Sequence, residues 1–147
     1  MIILVNKWDL ASGTNVSAEL YKEDMYMEFK DLQHYPILFV SALTKRRVSN
    51  IIEVAWDIFT KQREKISTKE LNEWVEKAVR NYPPPANQGK SIKIKFIEQV
   101  QQSPPIFALF SNYPKLISIQ YLRYLHNQIR DSFDLNGITI KFSLRKG

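Results

Sequence analysis

The chain has 147 residues, which allows one ordinary domain, or one small domain and part of another. It contains no cysteine, which excludes disulfides and cysteine-ligated zinc and fits a protein of the reducing cytoplasm. The net charge of +6 is unevenly distributed along the chain. Residues 1–60 hold six Lys/Arg and eight Asp/Glu (−2), whereas residues 61–147 hold fifteen Lys/Arg and seven Asp/Glu (+8).

The first predicted element is the apolar run at the start of the chain. It is too short to span a bilayer and lacks the basic start of a signal peptide, so we expect no membrane partner. Four consecutive apolar residues, Ile2–Val5, are typical of a buried parallel strand. The carboxyl end of such a strand is where open α/β sheets bind ligands.

The next four residues, Asn-Lys-Trp-Asp at 6–9, have the form N-K-x-D with which guanine-nucleotide-binding proteins read the base. A carboxylate only accepts hydrogen bonds, so Asp9 can take both the N1–H and the 2-amine of guanine, a donor pair that adenine lacks. Asn6 would hold the loop together, and the stem of Lys7 would lie flat along the base. The alternative is a polar turn in which Asp9 caps a local group.

A second strand with the same arrangement is predicted at 36–40, followed by Ser41, Ala42 and Leu43. GTPases place S-A-K or S-A-L at this point, and the small side chain of Ala42 lets its backbone N–H approach the guanine O6. Together the two segments predict a guanine-binding site formed by Asn6, Lys7, Asp9, Ser41, Ala42 and Leu43.

Helices are predicted after each of these strands. In the second, apolar residues at helical spacing form a stripe that we expect to be buried, namely Ile51, Ile52, Ala55, Trp56 and Phe59. The order strand-helix-strand-helix implies a parallel sheet, so residues 1–60 are predicted to be α/β.

Residues 61–66 are polar and basic and are predicted to be a linker. Ser67 and Glu70 form a capping box that starts a helix, and Pro83–Pro85 end it. Two strands, a helix and a last strand follow. The order α-β-β-α-β predicts an α+β domain over residues 67–147, with two helices on one face of a three-stranded sheet.

The other face of that sheet is predicted to be basic. Ile92, Ile94 and Phe96 alternate inward and leave Lys93 and Lys95 outward. With the charge of +8, this predicts contact with RNA through Lys90, Lys93, Lys95, Lys141, Arg145 and Lys146. No aromatic residues alternate with the lysines, so binding is expected to be mostly electrostatic. The alternative is an ordinary solvated face.

Catalytic and metal-ligand patterns are missing from the sequence, so no catalytic residue and no metal site is predicted. Gly-Lys-Ser at 89–91 would complete a phosphate loop only with glycine at 84, where Pro84 stands, and it is predicted to be a turn. His34 and His126 lie on different predicted helices without metal-ligand spacing.

Several segments resemble a known bacterial family. "VNKWDL", "SALT", "YPPP" and the closing "ITIKFSLRKG" are similar to the C-terminal end of the double-GTPase family Der, or EngA, over essentially the whole chain. That family has two tandem GTPase (G) domains followed by a KH-like domain. The resemblance implies that residues 1–60 are the end of the second G domain, with a P-loop GTPase fold, and that residues 67–147 are the KH-like domain.

The resemblance also implies a function in assembly of the large ribosomal subunit, with that subunit or its RNA as partner. The parent protein would bind GTP or GDP with Mg²⁺ and dock its G domains against the KH-like domain. This chain lacks a phosphate loop, a switch threonine and D-x-x-G, so we expect a truncated piece that holds no cofactor alone and hydrolyses no GTP. It also lacks the G-x-x-G of RNA-clamping KH domains. The alternative is a stand-alone RNA- or protein-binding module without nucleotide function.

Overall fold

The structure is a computed structural model that describes residues 1–11 and 15–147. These residues form two compact units. One comprises Met1–Thr60 with Asn136–Ile138, and the other comprises Lys61–Leu135 with Thr139–Gly147. In the described part of the chain, no helix is both long enough and apolar enough to cross a membrane.

The first unit is built on two parallel strands, β1 (Ile3–Val5) and β2 (Ile37–Phe39). Helix α1 (Ala18–Glu28) lies between them in sequence and begins at Ser17, whose side chain accepts a hydrogen bond from the N–H of Leu20. Helix α2 (Val48–Gln62) follows β2. Parallel pairing places the ends of both strands, and the loops after them, at one edge of the sheet.

An aromatic cluster fixes α1 against this edge. The Trp8 ring lies 4.4 Å from that of Phe39 and 5.7 Å from that of Tyr21, measured between centroids. Trp8 occupies the variable position of the N-K-x-D segment, so its ring anchors that turn on β2.

The buried stripe predicted on α2 is wrong. No residue of α2 is buried, and Ile52 and Trp56 are 72% and 69% exposed. The physical reason is the size of the sheet, since two strands of three residues each provide too little apolar surface to cover the helix. Among the described residues up to position 60, the buried apolar side chains are Ile37, Phe39 and Val40.

Residues 136–138 belong to the first unit although they follow most of the second in sequence. The N–H of Gly137 donates a hydrogen bond of 2.6 Å to the carbonyl oxygen of His34. Gly137 has a φ of +78°, and a Cβ there would lie 2.7 Å from Cδ1 of Ile58. The backbone conformation therefore favours glycine, and a Cβ at this position would also force the end of the Ile58 side chain to move.

The second unit contains helix α3 (Thr68–Asn81), strands β3 (Ile94–Gln101) and β4 (Ile106–Ser111), helix α4 (Ile119–Ser132) and strand β5 (Lys141–Lys146). The sheet order is β3-β4-β5, with β3 antiparallel and β5 parallel to the central β4. The first two residues of the predicted linker, Lys61 and Gln62, continue helix α2, and both belong to the second unit.

Both helices bury one apolar stripe against the sheet. The capping box of Ser67 and Glu70 is present at the start of α3. The side chains that form the core of this unit include Leu71, Trp74, Val75 and Ala78 of α3, Tyr121, Leu125 and Ile129 of α4, and Ile97, Phe107 and Leu109 of the sheet. At the start of α4, Tyr121 is buried while Ile119, in its first turn, is 70% exposed.

Asn72 of α3 covers the outer edge of β3. Its Oδ1 accepts a hydrogen bond of 3.0 Å from the N–H of Ile97, and its Nδ2 donates one of 2.9 Å to the carbonyl oxygen of the same residue. Nδ2 also donates to the carbonyl oxygen of Thr68, at 2.7 Å. One amide side chain thus satisfies both backbone groups that β3 presents to its open side at this position.

Candidate functional site

The turn after β1 is connected to the turn after β2 by one side chain. Oδ1 of Asn6 accepts a hydrogen bond of 2.8 Å from the N–H of Lys7 and one of 3.1 Å from the N–H of Ala42. Lys7 has a φ of +60°, which turns the chain sharply after Asn6. The N–H of Trp8 then donates to the carbonyl oxygen of Val40, at 3.0 Å. These bonds hold the two predicted motifs side by side.

An open cleft of about 420 Å³ lies between these turns, and it is lined by Asn6, Lys7, Asp9, Leu10, Ala42 and Leu43. Five of the six residues predicted for guanine binding therefore line one cleft. Leu10 was missed, although it directly follows the motif in the sequence. Its side chain is 73% exposed and adds apolar surface of the kind that a flat base covers.

The carboxylate of Asp9 is the group in this cleft that most directly indicates a ligand. Its Oδ1 is buried, and no group in the described part of the chain donates a hydrogen bond to it. A buried acceptor without a partner costs about 1–3 kcal/mol, and more when the group is charged. Asp9 is thus arranged to receive a donor from outside the described residues. Among the described residues, none forms the local cap at this oxygen that the alternative role of Asp9 would require.

Ser41 lies behind the cleft and does not line it. It is 1% exposed, and its hydroxyl accepts a hydrogen bond of 3.2 Å from the N–H of Thr44. Its own N–H donates to the carbonyl oxygen of Arg46, also at 3.2 Å. Ser41 therefore shapes the turn that presents Ala42 and has no path to a base in the cleft.

The backbone N–H that was expected to approach the guanine O6 is engaged. In this structure the N–H of Ala42 donates to Asn6, so a base could use it only by replacing that hydrogen bond. The predicted role of Ala42 thus depends on an exchange of partners between Asn6 and the ligand.

The cations predicted to bind RNA do not all share one face of the second unit. Lys141 and Arg145 alternate along β5 and lie on the face opposite the helices, paired with Ile106 and Phe110. Lys146 pairs with buried Ser111, so it follows the helix-covered face at the exposed end of the strand. Lys93 precedes β3, where its N–H donates to Oδ1 of Asn112, at 2.8 Å.

Lys90 lies in a hairpin turn, as Gly-Lys-Ser was predicted to do. Asn87 and Lys90 exchange two backbone hydrogen bonds, and the two residues between them, Gln88 and Gly89, have φ values of +51° and +71°. This is a two-residue turn and not a phosphate loop. The Lys90 ammonium lies 4.9 Å from the ring centroid of Tyr113.

The prediction that Phe96 faces inward is wrong. The strand register shifts between Ile94, which pairs with Ser111, and Phe96, which pairs with Phe110, so Lys95 is an extra residue in β3. A single inserted residue reverses the alternation after it. Ile97 is therefore fully buried, while Phe96 is 39% exposed on the face opposite the helices. Aromatic rings thus accompany the cations on this face, contrary to the expectation from sequence.

Metal-binding groups are missing from the described residues, since no three His, Cys, Asp or Glu side chains come together there. The residues that line the cleft fit a base through Oδ1 of Asp9, to which no described residue donates a hydrogen bond. They include no loop of backbone N–H groups that could hold phosphates.

A family model and a set of similar proteins both point to the same family. A family model described as the KH-domain-like, C-terminal domain of EngA bacterial GTPase enzymes matches residues 65–145. Proteins named GTPase Der are similar along almost the whole chain. Those of Flavobacterium johnsoniae and Amoebophilus asiaticus are each 40% identical over 99% of this chain and 33% and 34% of their own length. That of Fusobacterium nucleatum is 42% identical over 97% of this chain and 33% of its own. The chain thus spans about a third of the length of these relatives.

Proposed function

Because the chain belongs to the EngA (Der) family of bacterial GTPases, through the KH-like domain at its C-terminal end, we propose that it acts as part of a GTP-binding protein in assembly of the large ribosomal subunit. In this proposal residues 1–60 are the base-reading end of a G domain with a P-loop GTPase fold. Residues 67–147 contact ribosomal RNA.

The buried Oδ1 of Asp9, which accepts no hydrogen bond from the described residues, carries the guanine-binding part of the proposal. A base in the cleft would donate its N1–H and 2-amine to this carboxylate, and the stem of Lys7 would cover its ring. Adenine would leave the carboxylate unpaired, which is the physical origin of selectivity for guanine.

The exposed apolar stripe of α2 supports the proposal that residues 1–60 are part of a larger domain. Ile52, Trp56 and Phe59 are 48–72% exposed, and the rings of Trp56 and Phe59 lie 5.7 Å apart. An apolar patch of this kind marks a surface that another part of a protein covers. We propose that further strands and helices of the G domain cover it in the relatives, which are about three times as long.

The phosphates and Mg²⁺ would be held by residues outside this chain, because no phosphate loop occurs in its sequence. In the parent protein, the chain's own residues would orient the base, and the triphosphate and its metal ion would supply most of the affinity. The isolated chain is therefore expected to bind guanine nucleotides in the millimolar range, at about 4 kcal/mol or less.

Chemical-shift titration of the ¹⁵N-labelled chain tests whether the cleft recognises guanine. GDP should shift the amides of Lys7 and Ala42, IDP should bind more weakly because it lacks the 2-amine, and ADP should shift neither. Asp9→Asn should weaken GDP binding and improve XDP binding, because an amide offers one acceptor and one donor to xanthine, which has a carbonyl at that position. Asp24→Asn, which removes the same charge from the exposed face of α1, is the matched control.

Equal responses of the Asp9→Asn variant and the wild type to GDP and XDP would mean that Asp9 does not contact the base. The second candidate function, an RNA- or protein-binding module without nucleotide function, would then be preferred. It is favoured by the absence of G-x-x-x-x-G-K-S/T from the chain and by the charge of +8 on residues 61–147.

A further inference from the structure

The face of the sheet opposite the helices carries a row of three stacked side chains, one from each strand. The rings of Phe96 on β3 and Phe110 on β4 lie 4.1 Å apart between centroids, with planes inclined by only 13°. The guanidinium carbon of Arg145 on β5 lies 5.9 Å from the centroid of Phe110. Since β4 is the central strand, Phe110 lies between the other two side chains. We call this set the aromatic row.

The outer ring of the aromatic row is accessible. Phe96 is 39% exposed although Phe110 covers one side of its ring. In the described sheet β3 is the edge strand, so no neighbouring strand places a side chain against the other side of that ring. The stack with Phe110 holds the Phe96 ring upright, and a second flat group can therefore stack on it with little loss of side-chain freedom.

Cations surround the aromatic row on the same face. The Cδ of Lys95 lies 3.7 Å from the position of a Cβ built on Gly147, and that position is 3.0 Å from Cβ of Phe110. The stem of Lys95 therefore runs beside the row. Lys141 lies further along β5, and Glu98, which pairs with Ala108, is an acidic group on this face next to the row. A flat apolar ring with cations beside it is complementary to a nucleotide, which joins a flat base to a phosphate.

We propose that an unpaired base of single-stranded RNA stacks on the outer face of Phe96, with its phosphates at Lys95 and Arg145. This inference deepens the proposed contact with ribosomal RNA and rests on it. Paired bases are excluded from the row, because in a duplex both faces of each base are already stacked. The KH-like unit thus selects unpaired segments, through a ring that the bulge at Lys95 turns outward.

The test measures binding of the full chain to a labelled twelve-nucleotide uridine strand and to a blunt-ended RNA duplex of twelve base pairs across a salt series. Phe96→Leu keeps the apolar bulk but removes the ring. It should weaken binding to the single strand roughly 5- to 150-fold, with an unchanged salt slope, since base stacking is independent of ions. Binding to the duplex should not change. Replacing Lys95 and Lys141 by Gln should instead flatten the slope, by roughly 0.7 per lost phosphate contact.

Two further variants make the result specific. Phe29→Leu makes the same substitution at a ring that is 52% exposed after α1, in the first unit, and should leave binding unchanged. Phe96→Tyr retains a ring and should bind like the wild type, which keeps the test valid if the leucine variant folds poorly. A leucine variant that binds the single strand as tightly as the wild type, or a tyrosine variant that loses this binding, would overturn stacking. Absence of RNA binding in the wild type would overturn the proposed RNA contact itself.

Discussion

Replacing Asn72 by alanine should destabilise the KH-like unit more than any other exchange of a polar side chain on α3. The exchange removes the hydrogen bonds of 3.0 and 2.9 Å that the side chain forms with the backbone of Ile97, and also the bond of 2.7 Å to Thr68. Ile97 is fully buried, whereas the hydrogen bonds that its two backbone groups lose are partly buried.

The magnitude follows from the two orphaned groups. Each buried group without a partner costs about 1–3 kcal/mol. We use the lower end of this range, about 1 kcal/mol per group, because these bonds are only partly buried. Alanine favours the helix over asparagine by about 0.5 kcal/mol, which offsets part of the loss. The net loss of unfolding free energy is then about 1.5 kcal/mol, equivalent to a decrease of roughly 6–12 °C in the melting temperature of a domain of this size.

Unfolding in urea, followed by the fluorescence of Trp74, measures this loss in a background in which Trp8 and Trp56 are replaced by Phe. Trp74 lies in the core of the KH-like unit and reports its unfolding selectively. Lys77→Ala, at an exposed position of the same helix, is the control and should change the unfolding free energy by less than about 0.5 kcal/mol. An effect of Asn72→Ala no larger than that of the control would refute the argument that this side chain stabilises the edge of β3.

Three further outcomes are expected. Burial, followed by the neighbouring Tyr124 and Tyr82, raises the pKa of Tyr121 above its ordinary value of 10.0. The unfolded chain therefore ionises first, stability should fall as the pH rises above 10, and Tyr121→Phe should reduce that fall in alkaline urea titrations. Hydrogen bonds from the hydroxyl and then the N–H of Ser67 lower the pKa of Glu70 below its ordinary value of 4.5. Their stabilisation is present above pH 4.5 and lost as the pH falls through the lowered pKa, and Glu70→Gln should remove this acid dependence. Finally, phosphate release from GTP by the chain alone should not exceed the uncatalysed rate, and calorimetry should detect no submicromolar binding of GTP or GDP.

Some parts of the structure follow from local sequence and others do not. The two motifs at the strand ends, the capping box at Ser67 and the buried stripe of α3 depend on spacing within a few residues, which the sequence displays directly. The stripe of α2 has equally clear periodicity, but periodicity identifies an apolar face without specifying what covers it. For Trp56 the described sheet is too small, and the ring is exposed.

The candidate sites show the same distinction. The N-K-x-D residues could be identified because they are consecutive, and the structure brings five of the six predicted residues to one cleft. Phe96 could not be placed correctly, because the bulge at Lys95 depends on pairing with β4 and leaves no mark in β3 itself. The role of Asn72 could not be predicted either, because its hydrogen-bond partner Ile97 is 25 residues away in the sequence.

The position of Gly137 has a consequence for the order of events during synthesis. The unit formed by residues 1–60 gains its last segment, Asn136–Ile138, only after residues 61–135 have been made. At about 5–20 residues per second, the ribosome needs roughly 4–15 seconds to make that stretch. The hydrogen bond from the N–H of Gly137 to the carbonyl oxygen of His34 can form only after this interval, so this unit is completed only once the intervening residues of the second unit have been made.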